Sequence, residues 1–365
     1  MQRRRLAFDM FSALFYGTQM KTTSPSARFN FGLTRKLSNK RRMYLSERPE
    51  DLDFVQNTVD VFRCPAEILT RGGPEEAKGG MMGTSVFQPH LKMGIFRNHP
   101  LNKKFKASWH RSYEYSCQML EEALEKFKDT PADTKPYIVR VIGRQSIPVE
   151  GIKEVAASVM LAGIDTTTSV ISWNLLYLAM NPEKQEILRK ELREVLGSGD
   201  ITEEIAANMK SKLPYLRAVI RETHRVAPAT PIMTQRPAPC DVELAGYSVP
   251  EGTPVGFNVF SVQNNPKYVE DPSEFKPERW LADAVEARRG TEAEVIDDKL
   301  LATPFSFGAR MCLGGRVADL ELSVAIARLV RDWRISVPAG QPSWRNLQPL
   351  LTKPHPFPSF SIEAA

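Results

Sequence analysis

A stretch of some thirty residues, from Pro148 to Met180, constrains the fold more than any other part of the chain. Proline suits the first turn of a helix, where its missing N–H is not needed, and Asn181-Pro182 closes the run. At 1.5 Å per residue such a helix is a rod of roughly 45 Å, long enough to cross a whole domain. Its middle, from Val155 to Thr168, is apolar on nearly every face, as in a helix buried on all sides. No run reaches the ~18 uninterrupted apolar residues of a membrane span. Yet at mid-length the rod carries Asp165 followed by Thr166, Thr167 and Thr168. An unpaired buried carboxylate is costly, so Asp165 needs a partner or a task. Thr166 lies one turn from Ala162 and Gly163, and small residues on that stripe leave room for a flat body against the helix. The alternative is a threonine that bonds back to a carbonyl and bends the rod.

The second informative stretch is Phe305-Ser306-Phe307-Gly308-Ala309-Arg310-Met311-Cys312-Leu313-Gly314. A lone cysteine stands between two glycines, with an apolar-periodic segment, Val317 to Val330, behind it. Gly308 can take a conformation closed to other residues, and Gly314 lets another body approach the backbone. Thiolate is a soft ligand, and a helix start favours negative charge on sulfur. Cys312 therefore reads as a single axial metal ligand of the kind haem iron takes. The competing reading is a buried structural cysteine.

Composition adds bounds. With 365 residues, 42% hydrophobic and 25% charged, the chain has ordinary globular values. A net charge of +6 suits an acidic partner protein or an anionic membrane surface. It is too diffuse to argue for nucleic acid. Cys64, Cys117, Cys240 and Cys312 lie far apart with no Cys-x-x-Cys pair, which excludes a zinc ribbon and gives no disulfide framework. Helices are predicted at Leu6–Tyr16, Asp51–Phe62, Trp109–Phe127, Glu183–Val195 and Pro214–Val226. Residues 21–48 read as a loop or disordered insertion. Gly72–Met82 is turn-like, and Phe87–Phe105 reads as a surface connection with possible membrane contact. Short strands around Leu244–Pro250 and Thr253–Val259 form the only convincing sheet. The expected fold is mostly α with a small β portion, in a single domain over 1–365.

Phe-x-x-Gly-x-Arg-x-Cys-x-Gly at Phe305–Gly314 strongly resembles the haem-binding signature of the cytochrome P450 family, the haem-thiolate monooxygenases. Ala162-Gly163-Ile164-Asp165-Thr166-Thr167 resembles that family's oxygen-pocket motif. Glu222-Thr223-His224-Arg225 resembles its Glu-x-x-Arg, and Arg279 its third network residue. The resemblance implies a P450 fold and haem b with Cys312 as the iron's thiolate ligand. It implies that Phe305, Gly308, Arg310 and Gly314 shape the cysteine loop, and that Arg310 and Arg236 pair with haem propionates. Ala162 and Gly163 would line the oxygen pocket, and Asp165 and Thr166 would deliver protons as catalytic residues. Glu222, Arg225 and Arg279 would brace the wall behind the loop. His224 stands where leucine is usual; a satisfied or exposed side chain with no chemistry is expected there.

Cys312-Leu313-Gly314-Gly315-Arg316 resembles the mitochondrial, ferredoxin-dependent branch, with Gly315 where arginine is usual, and Arg217 and Arg221 resemble its ferredoxin-contacting residues. The partners so implied are dioxygen, a lipophilic substrate that is sterol-like or fatty-acid-like, and a ferredoxin-type or flavoprotein electron donor. The implied location is the mitochondrial inner membrane or another intracellular membrane. Members are usually a hundred or more residues longer at the amino end, so a truncated chain is expected, without the helix that covers the haem face. Two alternatives follow: a non-catalytic fragment, and a reductant-independent haem-thiolate isomerase or dehydratase. Asp165-Thr166 argues against the latter.

Overall fold

The computed structural model describes residues 100–365 except 133, 145–147, 232–235, 303, 340–344, 347–350 and 356–357. The expectations for Leu6–Tyr16, 21–48, Asp51–Phe62, Gly72–Met82 and most of Phe87–Phe105 lie outside the described residues.

The rod is there. Helix α3 (Val149–Met180) follows α1 (Pro100–Lys126) and α2 (Tyr137–Gly143). Pro148 stands at its N-cap, and the Asn181 side chain donates to Tyr177 O at 2.8 Å where it stops. Its apolar circumference is explained by two cores. In its first half Ile152, Ala156, Met160 and Ile164 pack with Met119, Leu120 and Ala123 of α1 and Ile138 of α2. In its second half Ile171, Leu175 and Leu178 join Leu188 and Leu192 of α4 (Pro182–Leu196). α5 (Glu203–Lys212) and α6 (Pro214–Val226) add Met209, Leu216 and Val219 to that core. A helix long and apolar enough to cross a membrane is here the inner member of a bundle.

α1 begins at Pro100, nine residues before the predicted start. The basic residues that made this turn look like a loop lie on its exposed side: Lys103, Lys104 and Lys106 are exposed, while Ser108 and Ser112 face inward. Trp109 and Tyr113, four residues apart, each meet a neighbour on α1 itself. Trp109 sits 6.5 Å from the Phe105 ring, and Tyr113 bonds to Cys117, which pushes its hydroxyl pKa up.

Polar side chains lock the second core. The amide of Gln185 donates to Leu178 O and Ile335 O and accepts from Ile335 N. Buried Arg189 donates to Val330 O and Trp333 O, both at 3.0 Å. These are the spare carbonyls at the end of α10 (Gly315–Asp332), where a cation is favoured. The Glu191 carboxylate accepts from Tyr215 N and Leu216 N at 2.7 and 2.9 Å, capping α6, whose first residue is proline.

The β portion is small, as expected, but extends beyond the predicted sheet. β2 (Val242–Leu244) and β3 (Tyr247–Val249) form the predicted hairpin. Its turn residues Ala245 and Gly246 both have positive φ, 53° and 84°, the twist that two-residue hairpins need. The second predicted strand shrinks to β4 (Pro254–Val255), paired with β1 (Arg236–Pro237). After it the Asn258 side chain caps a short helix, α7 (Val259–Gln263), by accepting from Ser261 N at 3.0 Å, and the short helices α8 (Ala282–Ala287) and α9 (Lys299–Ala302) follow. Two more ribbons pair distant segments: β5 (Trp333–Ser336) with β8 (Ser361–Ala364), and β6 (Arg345–Asn346) with β7 (Pro354–His355). β5 leaves α10 without a turn residue, so no local signal marks it.

Candidate functional site

The cysteine loop is a tight bend ahead of α10. Ser306 and Gly308 have φ of 62° and 72°, and Gly308–Arg310 is a single 3₁₀ turn closed by Met311 N donating to Gly308 O at 3.1 Å. Cys312 N donates to Phe305 O at 2.8 Å, and Gly315 N donates to Cys312 O at 3.2 Å. The backbone of Cys312 is thus held on both sides while its thiol is exposed. Gly308 is required by its conformation. Gly314 is different: its φ is negative, and a Cβ there would meet nothing within 4 Å. Nothing within the described chain calls for a glycine at Gly314. Gly315 is tight instead, since a Cβ would come within 3.2 Å of the Phe305 ring. The residue that departs from the branch pattern is therefore the floor on which Phe305 rests.

Large apolar side chains are exposed along the cysteine loop and beside it. Met311 and Leu313 are 55% and 65% exposed, and exposed Phe307 meets exposed Phe257 edge-on at 6.0 Å. A cleft of about 950 Å³ runs along Cys312 and Leu313, with Tyr137, Val159, Ile220 and His224 among its walls. Val159 lies one turn before the small-residue stripe of α3. Ala162, Gly163, Asp165 and Thr166 do not line this cleft, and neither does Arg236. Ala162 is exposed, with Gly163 and Thr166 half-buried beside it. α10 packs directly on α3, so loop and stripe belong to adjoining elements without sharing that cleft. Arg236 is exposed on β1, opposite Val255.

Asp165 is fully buried, and its partner is Lys353, whose ammonium both pairs with and donates to Oδ2. Thr166 Oγ1 donates to Ala162 O at 2.8 Å, the carbonyl bond weighed above as the alternative. The two residues thus have separate partners. Lys353 could not be found from sequence: a buried carboxylate demands a cation, but nothing local says which one.

The Glu222 network is closed. Its carboxylate accepts from Arg225 Nε and Nη2 at 2.9 and 2.8 Å, Lys276 N at 2.9 Å and Trp280 Nε1 at 2.8 Å. Arg279 Nε joins at 3.4 Å, and all three charged side chains are buried. Arg221, expected on a docking face, is turned inward. It pairs with Asp297 at 3.2 Å and lies 3.9 Å over the Trp280 ring, and burial lowers its pKa. Arg217 stays exposed.

His224 is neither satisfied nor exposed. It is buried with no hydrogen-bond partner at Nδ1 among the described residues, and it meets the Phe305 ring edge-on at 6.1 Å. Burial pushes its pKa down to about 4, so it is a neutral prop under the loop. A single substitution of leucine by histidine carries no pattern from which this could be read.

Comparison with known proteins bears on this geometry. The family model described as Cytochrome P450 matches residues 79–358. A fruit-fly (Drosophila melanogaster) protein named "Probable cytochrome P450 12a5, mitochondrial" is 36% identical over 245 residues, covering 65% of this chain and 45% of its own length. Housefly (Musca domestica) "Cytochrome P450 CYP12A2" is 33% identical over 266 residues, covering 69% and 48%. Mouse (Mus musculus) "Sterol 26-hydroxylase, mitochondrial" is 26% identical over 262 residues, covering 70% and 48%. The chain spans about half the length of the curated relatives it matches.

The cofactor that this family implies is a haem with a cysteine thiolate on its iron. The residues present fit it on one side: a soft donor stands exposed, apolar side chains rim it, and Gly314 leaves bare backbone where a flat macrocycle would rest.

Proposed function

Since the chain belongs to the cytochrome P450 family, we propose that it contributes the thiolate side and the proton-relay helix of a haem-thiolate monooxygenase. Cys312 would hold the iron, the backbone of Gly308 and Gly314 would shape the contact, and Arg310 and Arg236 would take the haem propionates. The bound haem supplies oxygen activation, with thiolate donation favouring O–O cleavage. Ala162 and Gly163 leave the bare stretch of α3 on which dioxygen would be accommodated. Asp165 would take up a proton and hand it to the Thr166 hydroxyl, which would release its own proton toward the dioxygen.

The substrate class is lipophilic, sterol-like or fatty-acid-like, in keeping with the exposed apolar rim and with the name of the mouse relative. Electrons would come from an acidic ferredoxin-type or flavoprotein donor, with exposed Arg217 as its contact and inward-turned Arg221 as structural support. A mitochondrial location is consistent with the relatives' names.

One observation carries the reading. Gly314 is a glycine for which the described chain itself has no need, beside an exposed thiol. Turnover of a sterol or fatty-acid panel, with ferredoxin, ferredoxin reductase and NADPH, tests it. Product that depends on NADPH and disappears in Cys312→Ala is expected. Product formed from a hydroperoxide without reductant would replace the reading with an isomerase or dehydratase.

A second reading, a chain that keeps the motifs without taking haem, is favoured by the apolar side chains left open around Cys312. Exposed apolar patches of this kind are unusual on a finished surface. A haem titration that yields no Soret band would select it.

A further inference from the structure

The cleft beside the cysteine loop reaches well beyond Cys312, between two helical stripes. On α6 the stripe is Arg217, Ile220, Arg221 and His224, at the i, i+3, i+4, i+7 spacing of one helical face. On α10 it is Asp319 and Ser323, one turn apart. The volume of about 950 Å³ lies near the upper end of the ~300–1,000 Å³ typical of small-molecule sites. Leu216 and Ile220 are buried side chains that form its apolar inner wall.

The polar groups of the α6 stripe fall into two kinds. Arg221 is already paired with Asp297. Arg217 and His224 are not engaged in this way. Arg217 is exposed and has no ion pair among the described residues. His224 is 9% exposed, and its Nδ1 has no hydrogen-bond partner among the described residues. An unpaired buried polar atom carries a desolvation cost that a hydrogen-bonding ligand removes. The two groups stand two turns apart, roughly 10 Å along the α6 axis. Their surroundings differ in charge. Asp319 is close enough to His224 to act on its titration, and burial keeps the imidazole neutral at pH 7. A carboxylate is therefore repelled at the His224 end and attracted at the Arg217 end, whereas the neutral ring suits a hydroxyl.

We propose that this cleft binds an amphipathic hydroxy acid, with its carboxylate on Arg217, its apolar chain against Leu216 and Ile220, and a hydroxyl on His224 Nδ1. The site lies apart from the oxygen stripe, since Ala162, Gly163 and Thr166 do not line the cleft. The inference does not depend on the monooxygenase reading, and it is tested without haem.

Isothermal titration calorimetry on the whole haem-free chain uses three probes below their aggregation limits: 10-hydroxydecanoate, decanoate and 1,10-decanediol. The hydroxy acid should bind one per chain, about tenfold tighter than decanoate, which leaves His224 unpaired. It should bind about threefold tighter than the diol, because an exposed arginine contributes no more than a surface pair. His224→Leu should bring the hydroxy acid to the affinity of decanoate without weakening decanoate itself. Arg217→Gln should weaken both acids about threefold and leave the diol unchanged. If His224→Leu does not fold, the three probes on the parent and on Arg217→Gln decide the question without it. Equal affinity of the parent for the hydroxy acid and decanoate overturns the proposal. So does the absence of saturable binding, the result expected if another part of the chain fills the cleft. Binding that neither substitution alters puts the probe elsewhere on the molecule and overturns it too.

Discussion

The substitution Glu222→Gln puts a magnitude on the network behind the cysteine loop. The amide keeps the shape of the carboxylate but removes the negative charge that, among the described residues, is the only one in direct contact with two buried guanidinium groups. Arg225 would retain its bonds to Gln263 O, Asn264 Oδ1, Pro272 O and Glu274 O, so it stays hydrogen-bonded yet loses its counter-charge. Whichever oxygen becomes NH₂, at least two donors would also face it: Arg225 Nε and Trp280 Nε1 at Oε2, or Arg225 Nη2, Lys276 N and Arg279 Nε at Oε1. Removing one member of a buried ion pair costs roughly 3–5 kcal/mol, because the other charge is left uncompensated. An exposed pair at the same i,i+3 spacing would be worth only about 0–1 kcal/mol. With Tm falling by about 2 °C per kcal/mol in a chain larger than 250 residues, the expected drop is roughly 6–10 °C. Differential scanning fluorimetry on the haem-free chain reads this without reference to activity, and urea unfolding by tryptophan fluorescence gives an independent free energy. A loss below about 1 kcal/mol would mean that the network behaves as a surface pair, and the argument from burial would be wrong.

Other predictions follow from the loop and from His224. Gly308→Ala should destabilise the chain by about 1–2 kcal/mol with or without haem, since its φ of 72° is hostile to any Cβ. Gly314→Ala should change haem-free stability by less than about 0.5 kcal/mol yet weaken haem binding in a titration; unaltered affinity would remove Gly314 from the contact. His224 is neutral in the folded chain down to about pH 4, whereas it titrates near 6.5 when unfolded. The unfolded state therefore binds the extra proton first, and stability is lost as pH falls from 6.5 toward 4. At pH 5 the penalty is about 2 kcal/mol. His224→Leu should abolish it, so that stability curves of the two proteins converge at pH 7.5 and separate at pH 5 apart from a constant packing difference.

Much of this architecture is legible in the sequence, for identifiable reasons. α3 announces itself because a buried rod has no polar face to confuse its periodicity, and Pro148 and Asn181-Pro182 mark its ends. α6 and the Glu222-x-x-Arg225 spacing are equally local. What stays hidden depends on contacts across long stretches of chain. β5 pairs with β8 some 25 residues later, with nothing at either end to signal it. Lys353 meets Asp165 from the far end of the chain. Arg221 is a docking residue by resemblance alone, and only the position of Trp280 and Asp297 turns it inward. His224 shows the same limit from another side: burial of a single imidazole has no periodicity to read. The cysteine loop is the mixed case. The positive φ expected of Gly308 could be assigned in advance and is present, whereas the open space around Gly314 is visible only with the surrounding structure.

The central claim is that Cys312 presents its sulfur to a haem iron. The reduced carbon monoxide difference spectrum of the chain, reconstituted with haem, tests it most directly, because haem uptake, thiolate ligation and a formed loop must all hold at once. The account predicts a thiolate-type band in the parent that is lost in Cys312→Ala, while Cys117→Ala leaves it intact. A band that survives Cys312→Ala, or one of the kind given by a nitrogen ligand in the parent, would contradict it.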